Sequence, residues 1–397
     1  MSRLTSELDR ALDHRAALGL RRERCVVESS QGARLRVDGR EMLHFGSNDY
    51  LGLAGDHRVV AAAQTGAARY GVGAGASHLI SGHFTAHDAI ERELAAWVAP
   101  CVASRALLFS SGYLANLAIV TALTGRGDAV FADKLNHACL NDAALLSRAS
   151  FVRYAHGDPG ALEKRLASSD ARRKLIATDA VFSMDGDIAA LGSLLELAEK
   201  YDAWLAVDDA HGFGVLGDTP DASRGNSGRG TLARLGLASE RIVYMATLGK
   251  AAGVAGAFVA AHPSVIETLV QTARSYIFTT AAPPMLSCAL TASLALMRDE
   301  PERRAHLFAL IDRWRDLAGR LPWPTLPSPT AIQPLILGDN AEALRVSNAL
   351  WKRDIWVPAI RPPTVPLGTS RLRITFSAAH SLADLDVLAG ALSDAVQ

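Results

Sequence analysis

Between about Arg105 and Ala261 the chain alternates short apolar runs with longer segments of helical pattern. The runs read "RALLFSS", "DAVFAD", "SFVRYA", "KLIATDAVF", "AWLAVDD", "RIVYMAT" and "GAFVAA". Continuous Val, Ile, Leu and Ala mark strands buried on both faces, as in a mostly parallel sheet. The helices between them make the architecture α/β. The last two runs are joined mainly by a Gly-rich segment that is short for a parallel crossover, so this pair is the candidate for antiparallel pairing.

The flanking patterns differ. Leu4, Leu8, Ala11 and Leu12 recur at helical spacing and predict an amphipathic helix. "ARLRVDGREMLHF" alternates around Asp38-Gly39, a two-residue turn signal, and predicts a hairpin. "VVAAAQTGAARY" reads as helix, as does the stretch from Met285 to Leu321. The prolines of "PWPTLPSP" then mark a loop, and a smaller α+β region follows. The polar, Gly-rich stretch Asp221 to Thr231 reads as a loop. The expected division is an N-terminal helix and hairpin arm (1–45), a large cofactor-binding domain (46–285) and a small α+β domain (286–397).

Charge narrows the function. Lys+Arg and Asp+Glu balance at 41 each, so there is no basic excess to neutralise phosphates or to draw the chain to an anionic membrane. The N-terminal segment has charges every few residues and does not read as a signal peptide. The longest apolar run, Ala251 to Ala261, is too short to span a bilayer as a helix. The four cysteines lie far apart without a CxxC pair, against a zinc site or a disulfide framework and in favour of a reducing, cytoplasmic setting.

In open α/β sheets, ligands bind at the carboxyl ends of the strands. Four polar clusters fall there: "SSGY" (Ser110 to Tyr113), "FSMDGD" (Phe182 to Asp187), "DDAHG" (Asp208 to Gly212) and "TLGK" (Thr247 to Lys250). Neighbouring strand side chains point to opposite faces, so Asp208 and Asp209 cannot share a job. A cap for the next helix and a solvent-facing acid are the plain alternative for this pair. Gly112 sits at a strand-to-helix turn, where backbone N–H groups can hold a phosphate, although an ordinary turn glycine reads the same way. No GxxxxGK[ST] or GxSxG occurs, which speaks against a P-loop and a hydrolase elbow. Lys250 could merely reach the surface. Its small, apolar neighbours instead suggest a desolvated amine of lowered pKa, able to form a Schiff base. A Schiff-base lysine, a strand-end Asp and a helix-start phosphate site together describe a pyridoxal-phosphate site. A carboxylate about 4 Å from the pyridine nitrogen supplies about 4 kcal/mol at an effective dielectric of 20, or about three pKa units.

The motifs "FGSNDYLGLA", "SGY", "NHA", "FSMDGD", "VDDAHGFGVLG", "TLGKAAG" and "AIRPPTVPLGTSRLRITFSAAH" occur in this order over essentially the whole chain. With them the chain resembles the α-oxoamine synthases, fold type I pyridoxal-phosphate enzymes with a large, mostly parallel αβα sandwich and a smaller α+β C-terminal domain. The resemblance implies that Lys250 carries the cofactor and acts as the base, and that Asp208 pairs with the ring nitrogen. It implies that His211 contacts the ring hydroxyl, that His137 stacks on the ring face, and that Ser183 lines the pocket. Gly112, Tyr113 and Thr247 would hold the phosphate, joined across a homodimer interface by Thr279 and Thr280. Arg373 would grip the amino-acid carboxylate, and Arg21, Asn48 and Thr364 would contact substrate; no metal is implied.

The "PPTVP" step is similar to the branch that condenses L-alanine with a pimeloyl thioester in biotin biosynthesis, carried on CoA or on an acyl-carrier protein. Sister synthases using glycine or serine, and a catalytically silent homologue, are the alternatives. Cys139 stands where the family has Ser, His78 where many members have Arg or Gly, and Ala190 where Pro is usual. Of these, His78 is the one expected to alter the substrate pocket.

Overall fold

The computed structural model describes residues 2–219 and 226–396. The chain forms two compact units. The larger holds Asp49–Ser183 and Asp187–His306; the smaller gathers the chain up to Asn48, the short Met184–Gly186 segment and the chain from Leu307.

In the smaller unit, α1 (Arg3–Ala17) begins under Ser2, whose hydroxyl accepts the Thr5 N–H at 3.2 Å. Its predicted apolar stripe exists, but none of its residues is buried. Strands β1 (Arg34–Val37) and β2 (Arg40–His44) form the predicted hairpin, with Asp38 and Gly39 both at positive φ, as a tight two-residue turn requires.

The seven apolar runs are the seven strands of one sheet in the larger unit. They are β3 (Arg105–Phe109), β4 (Ala129–Asp133), β5 (Ser150–Tyr154), β6 (Lys174–Asp179), β7 (Ala203–Asp208), β8 (Ile242–Thr247) and β9 (Ala257–Ala261). Their order is β3-β9-β8-β7-β6-β4-β5. Strands β4 to β8 pair in parallel, while β9 runs antiparallel to both β8 and β3. The antiparallel pair is thus the one marked by its short connection, and the other six strands end at one edge.

Helices α2 (His57–Tyr70) and α3 (Thr85–Val98) precede the sheet. Helices α4 (Gly112–Leu123), α5 (Ala138–Ser147), α6 (Pro159–Ala167), α7 (Leu191–Lys200) and α8 (Thr231–Leu235) lie between strands, and α9 (Pro263–Thr272) and α10 (Arg274–Ile277) follow them. Leu107, Ile119, Val130, Leu140 and Val243 belong to one buried cluster that packs α4 and α5 on the sheet.

The sequence pattern suggested one helical stretch from Met285 to Leu321. The structure has two helices, α11 (Pro284–Asp299) and α12 (Glu302–Ala318). Pro301 causes the break: its ring disfavours a helical Glu300, which sits at φ −118°, ψ 65°. Of the expected loop Asp221–Thr231, residues 221–225 lie outside the described residues, and Thr231 already begins α8.

The rest of the smaller unit comprises β10 (Ile332–Gly338), α13 (Asn340–Trp351), β11 (Ile355–Trp356), β12 (Ala359–Ile360), β13 (Ser370–Thr375) and α14 (Leu382–Asp394). Its two sheets have the orders β1-β2-β11 and β10-β13-β12. Buried Arg371 pairs with Asp185, and Ser328 and Thr330 donate to the Gly186 carbonyl at 3.0 and 3.2 Å, which ties Met184–Gly186 into this unit. Among the described residues no helix is long and apolar enough to cross a membrane.

Candidate active site

The carboxyl edge of the large sheet carries the chemistry. Lys250 lies three residues beyond the end of β8, half-buried. Its Nζ is 3.0 Å from His211 Nε2, and His211 Nδ1 is 2.6 Å from the Tyr50 hydroxyl. With the amine as donor to Nε2, the imidazole proton lies on Nδ1 and is shared with Tyr50. The lysine is thus held by a buried relay.

The two adjacent aspartates part as strand alternation requires. Asp208 accepts the Asn116 Nδ2–H at 2.7 Å and the Ala210 N–H at 3.0 Å. Asp209 is fully buried on the other side. It accepts the Thr231 N–H (2.7 Å), the Thr231 hydroxyl (2.6 Å) and the Tyr244 hydroxyl (2.9 Å). Burial pushes its pKa up to about 6. Asp209 therefore pins the start of α8, while Asp208, only 5% exposed, is not solvent-facing but lies buried beside Asn116.

His137 caps α5 just past β4 and is exposed. Its backbone N–H is held by Asp179 at 2.7 Å, and its Nδ1 lies 2.9 Å from Cys139 Sγ. Neighbouring Asn136 ties the same loop to β6 by donating to the Ala177 carbonyl at 2.7 Å. Burial, with the Asp208 charge adding, holds the Asp179 carboxyl well above the usual range. Desolvation lowers the His137 pKa, and Asp208 offsets part of that.

The start of α4 has the features that could hold a phosphate. Ser111 caps the helix by accepting the Leu114 N–H at 3.3 Å. A Cβ at Gly112 would come 2.6 Å from Thr247 Cγ2, so only glycine allows β8 and α4 to meet here. Thr247 Oγ1 is buried yet finds no hydrogen-bond partner among the described residues. Buried hydroxyls rarely go unpaired, and this one points to a bound acceptor. Helix-start N–H groups, an orphan hydroxyl, a buried carboxylate, an accessible imidazole and a held lysine fit pyridoxal phosphate as a set.

The other expected residues are divided between the two units. Tyr113 is exposed, its hydroxyl donating to Asp142 at 2.6 Å. Ser183 and Thr279 are half-buried and Thr280 is exposed. In the smaller unit, buried Arg373 donates to Asn48 Oδ1 at 3.2 Å. Thr364 accepts from Arg22 Nη2 at 3.3 Å, one residue past the expected Arg21, which is exposed. His78 is buried, stacked on Tyr276 at 5.1 Å, with its Nδ1 2.9 Å from that of His83. His87 completes a trio of imidazoles with metal-ligand spacing, but it accepts the Phe84 N–H and donates to the Ala282 carbonyl, so both its ring nitrogens are engaged.

Sequence reasoning missed Tyr50, Asn116 and Asp179. Tyr50 lay in plain view in "FGSNDYLGLA", and Asn116 lies one helical turn after Gly112. Their partners lie 161, 92 and 42 positions away, which no local pattern reports.

Residues 40–392 match the family of class I and II aminotransferases. The chain is 58% identical over 393 residues to an 8-amino-7-oxononanoate synthase of Aromatoleum aromaticum, covering 99% of this chain and 98% of that protein. A serine palmitoyltransferase from S. paucimobilis, solved with bound pyridoxal phosphate and myriocin, superposes with a TM-score of 0.90 at 28% identity, covering 100% of this chain and 98% of that one. An 8-amino-7-oxononanoate synthase from Francisella tularensis gives 0.75 at 30% identity over 89% of this chain and 98% of that one.

Proposed function

The chain belongs to the class I and II aminotransferase family and, within it, to the 8-amino-7-oxononanoate synthases, and from that premise we propose how its residues carry out the reaction. The enzyme condenses L-alanine with a pimeloyl thioester in biotin biosynthesis, releasing CO2 and the thiol, and depends on pyridoxal phosphate. When bound, pyridoxal phosphate draws electrons away from the α-carbon of the amino acid.

The observation that carries the assignment of roles is the Lys250–His211–Tyr50 relay. Lys250 would hold the cofactor, and its Nζ would take the α-proton of bound L-alanine, the part geometry asks of a nearby base. His211 keeps that amine aimed. Asp208, with Asn116 and the Ala210 N–H fixing its two oxygens, presents negative charge to the ring nitrogen. The α-carbon attacks the thioester carbonyl, the thiol leaves, and the carboxylate departs as CO2. Lys250 Nζ then returns the proton. His137 would cover the cofactor ring, Ser183 would line the pocket, and Gly112, Tyr113 and Thr247 would hold the phosphate.

Arg373 binds the L-alanine carboxylate through its planar fork. Arg21, Asn48 and Thr364 contact substrate. Thr279 and Thr280 reach the phosphate of the partner subunit in a homodimer of this cytoplasmic enzyme.

Lys250→Ala tests the core of this reading. The variant should lose both the absorbance band of the Lys250 Schiff base and turnover of L-alanine; persistence of either would refute it. Steady-state rates with pimeloyl-CoA and with its carrier-protein thioester, each against L-alanine, glycine and L-serine, identify the carrier and the amino acid. A response confined to glycine or serine would place the chain with a sister synthase.

A further inference from the structure

Behind His137 runs an unbroken chain of hydrogen bonds through three elements: Asp208 on β7, Asn116 on α4, Cys139 on α5. Asn116 Nδ2 is 2.7 Å from Asp208 Oδ2 and 3.1 Å from Cys139 Sγ, and Sγ is 2.9 Å from His137 Nδ1. Asn116 and Cys139 are almost wholly buried, at 1% and 2% exposure, so water does not compete.

Counting protons gives the chain a direction. The Asn116 amide nitrogen has two protons and no lone pair to offer. One proton goes to the Asp208 carboxylate and the other faces Cys139 Sγ; the flipped amide would set oxygen against oxygen. Burial pushes the Cys139 thiol up to about 12, with the Asp208 charge adding, so the thiol keeps its proton. As Sγ already receives from Asn116, its own proton is left for His137 Nδ1. That nitrogen also receives the Cys139 backbone N–H, at 3.3 Å. A ring nitrogen that accepts twice carries no proton, so the imidazole proton lies on Nε2.

We propose that Cys139 is a positioning residue, whose thiol passes the orientation set by Asp208 through Asn116 to His137 and fixes that ring in one plane as its Nε2–H tautomer. The inference rests on the reading of His137 as the cofactor-facing group. The competing reading of Cys139 is a small apolar filler between α4 and α5. The two readings predict opposite orders for two substitutions. A filler tolerates alanine and resents serine, because a buried hydroxyl without need of partners is a cost. A hydrogen-bond link resents alanine and accepts serine, which can also receive from Asn116 and donate to His137.

The test uses full-length protein labelled with 15N at histidine, both loaded with pyridoxal phosphate and free of it. His137→Gln identifies the His137 ring signals by their disappearance. The wild type should show a single Nε2–H tautomer in both forms. Cys139→Ala should show a mixture of tautomers, and Cys139→Ser should restore the single form. In turnover, Cys139→Ala should lower kcat about five- to tenfold, the worth of one modest hydrogen bond. KM for L-alanine should stay near the wild-type value, and Cys139→Ser should recover most of the loss. If Cys139→Ala fails to fold, Asn116→Ala makes the same demand from one side chain further away: it must disturb the His137 tautomer. A wild-type tautomer pattern in Cys139→Ala or Asn116→Ala, or a serine variant as impaired as the alanine one, overturns the proposal. Failure of the wild type to use L-alanine would instead strike the functional reading and leave the tautomer measurement standing.

Discussion

Thr247→Val should act in opposite directions on the cofactor-free and the loaded protein. Valine keeps the branched shape at the end of β8 and removes only the hydroxyl. That hydroxyl is buried without a hydrogen-bond partner, a situation that costs a fold about 1–3 kcal/mol. Removing it should therefore stabilise the cofactor-free protein, by about 1 kcal/mol. In the loaded protein the same hydroxyl is assigned to the cofactor phosphate. A hydrogen bond to a charged group is worth about 1.5–3 kcal/mol, so affinity for pyridoxal phosphate should fall roughly 10- to 150-fold. Urea unfolding of the cofactor-free protein and titration with pyridoxal phosphate read the two effects separately. A less stable cofactor-free variant, or unchanged cofactor affinity, would refute the reasoning: the first would mean the hydroxyl has a structural partner, the second that it is not a phosphate ligand.

Gly253 sits at φ 65°, and a Cβ there would come 2.5 Å from Ala54 N and 2.6 Å from the Leu53 carbonyl carbon, both backbone atoms that cannot rotate away. Gly253→Ala should thus cost about 2–5 kcal/mol in urea unfolding, from left-handed strain plus overpacking, and a loss below about 1 kcal/mol would mean the loop yields freely. His156 lies 3.0 Å from Asp133 and 3.1 Å from Asp187, and these hydrogen bonds raise its pKa from 6.5 to about 10. Its stabilising effect is complete below pH about 6.5 and is lost as pH rises through about 10, so His156→Gln should flatten that part of the profile of thermal midpoint against pH. On the proposed pairing of Asp208 with the cofactor nitrogen, Asp208→Asn replaces that charge by a neutral amide; three pKa units of lost support predict a fall in kcat of about 1000-fold, and a fall below tenfold would remove Asp208 from that role.

The inner strands of the large sheet were legible because they are covered on both faces and so lack a polar side to blur the pattern; edge strand β5 exposes Ser150 and Arg153 and shows only through Phe151, Val152 and Tyr154. Their carboxyl ends were legible because polar residues such as Thr247 and Asp208 stand out after an apolar run. The break at Pro301 was missed because helical periodicity weighs many residues, while one missing N–H decides the matter. Leu4, Leu8 and Leu12 foretold a helix but not what lies against their stripe, and α1 proves to have no buried face. Tyr50, Asn116 and Asp179 join the site through partners 161, 92 and 42 positions away in the sequence, distances over which side-chain spacing carries no information.

The pair Asp208-Asp209 shows how a strand end turns one sequence feature into two functions. Both carboxylates are buried, and side by side on one face they would share a proton rather than both ionise. Strand alternation sends them to opposite sides of the sheet, and each then answers to its own donors. Asp209 meets two hydroxyls and one N–H, and its raised pKa of about 6 still leaves it an acceptor fixed within the fold. Asp208 meets an amide side chain and one N–H, and that amide has a second proton to spend. The second proton faces the Cys139 thiol, which faces the His137 ring. In the proposed site Asp208 would fix two things at once: the charge offered to the cofactor nitrogen and, through Asn116 and Cys139, the orientation of the His137 ring. An Asp208 variant should disturb the His137 tautomer as well as the rate, whereas a variant of Asp209 should disturb neither except by loosening α8.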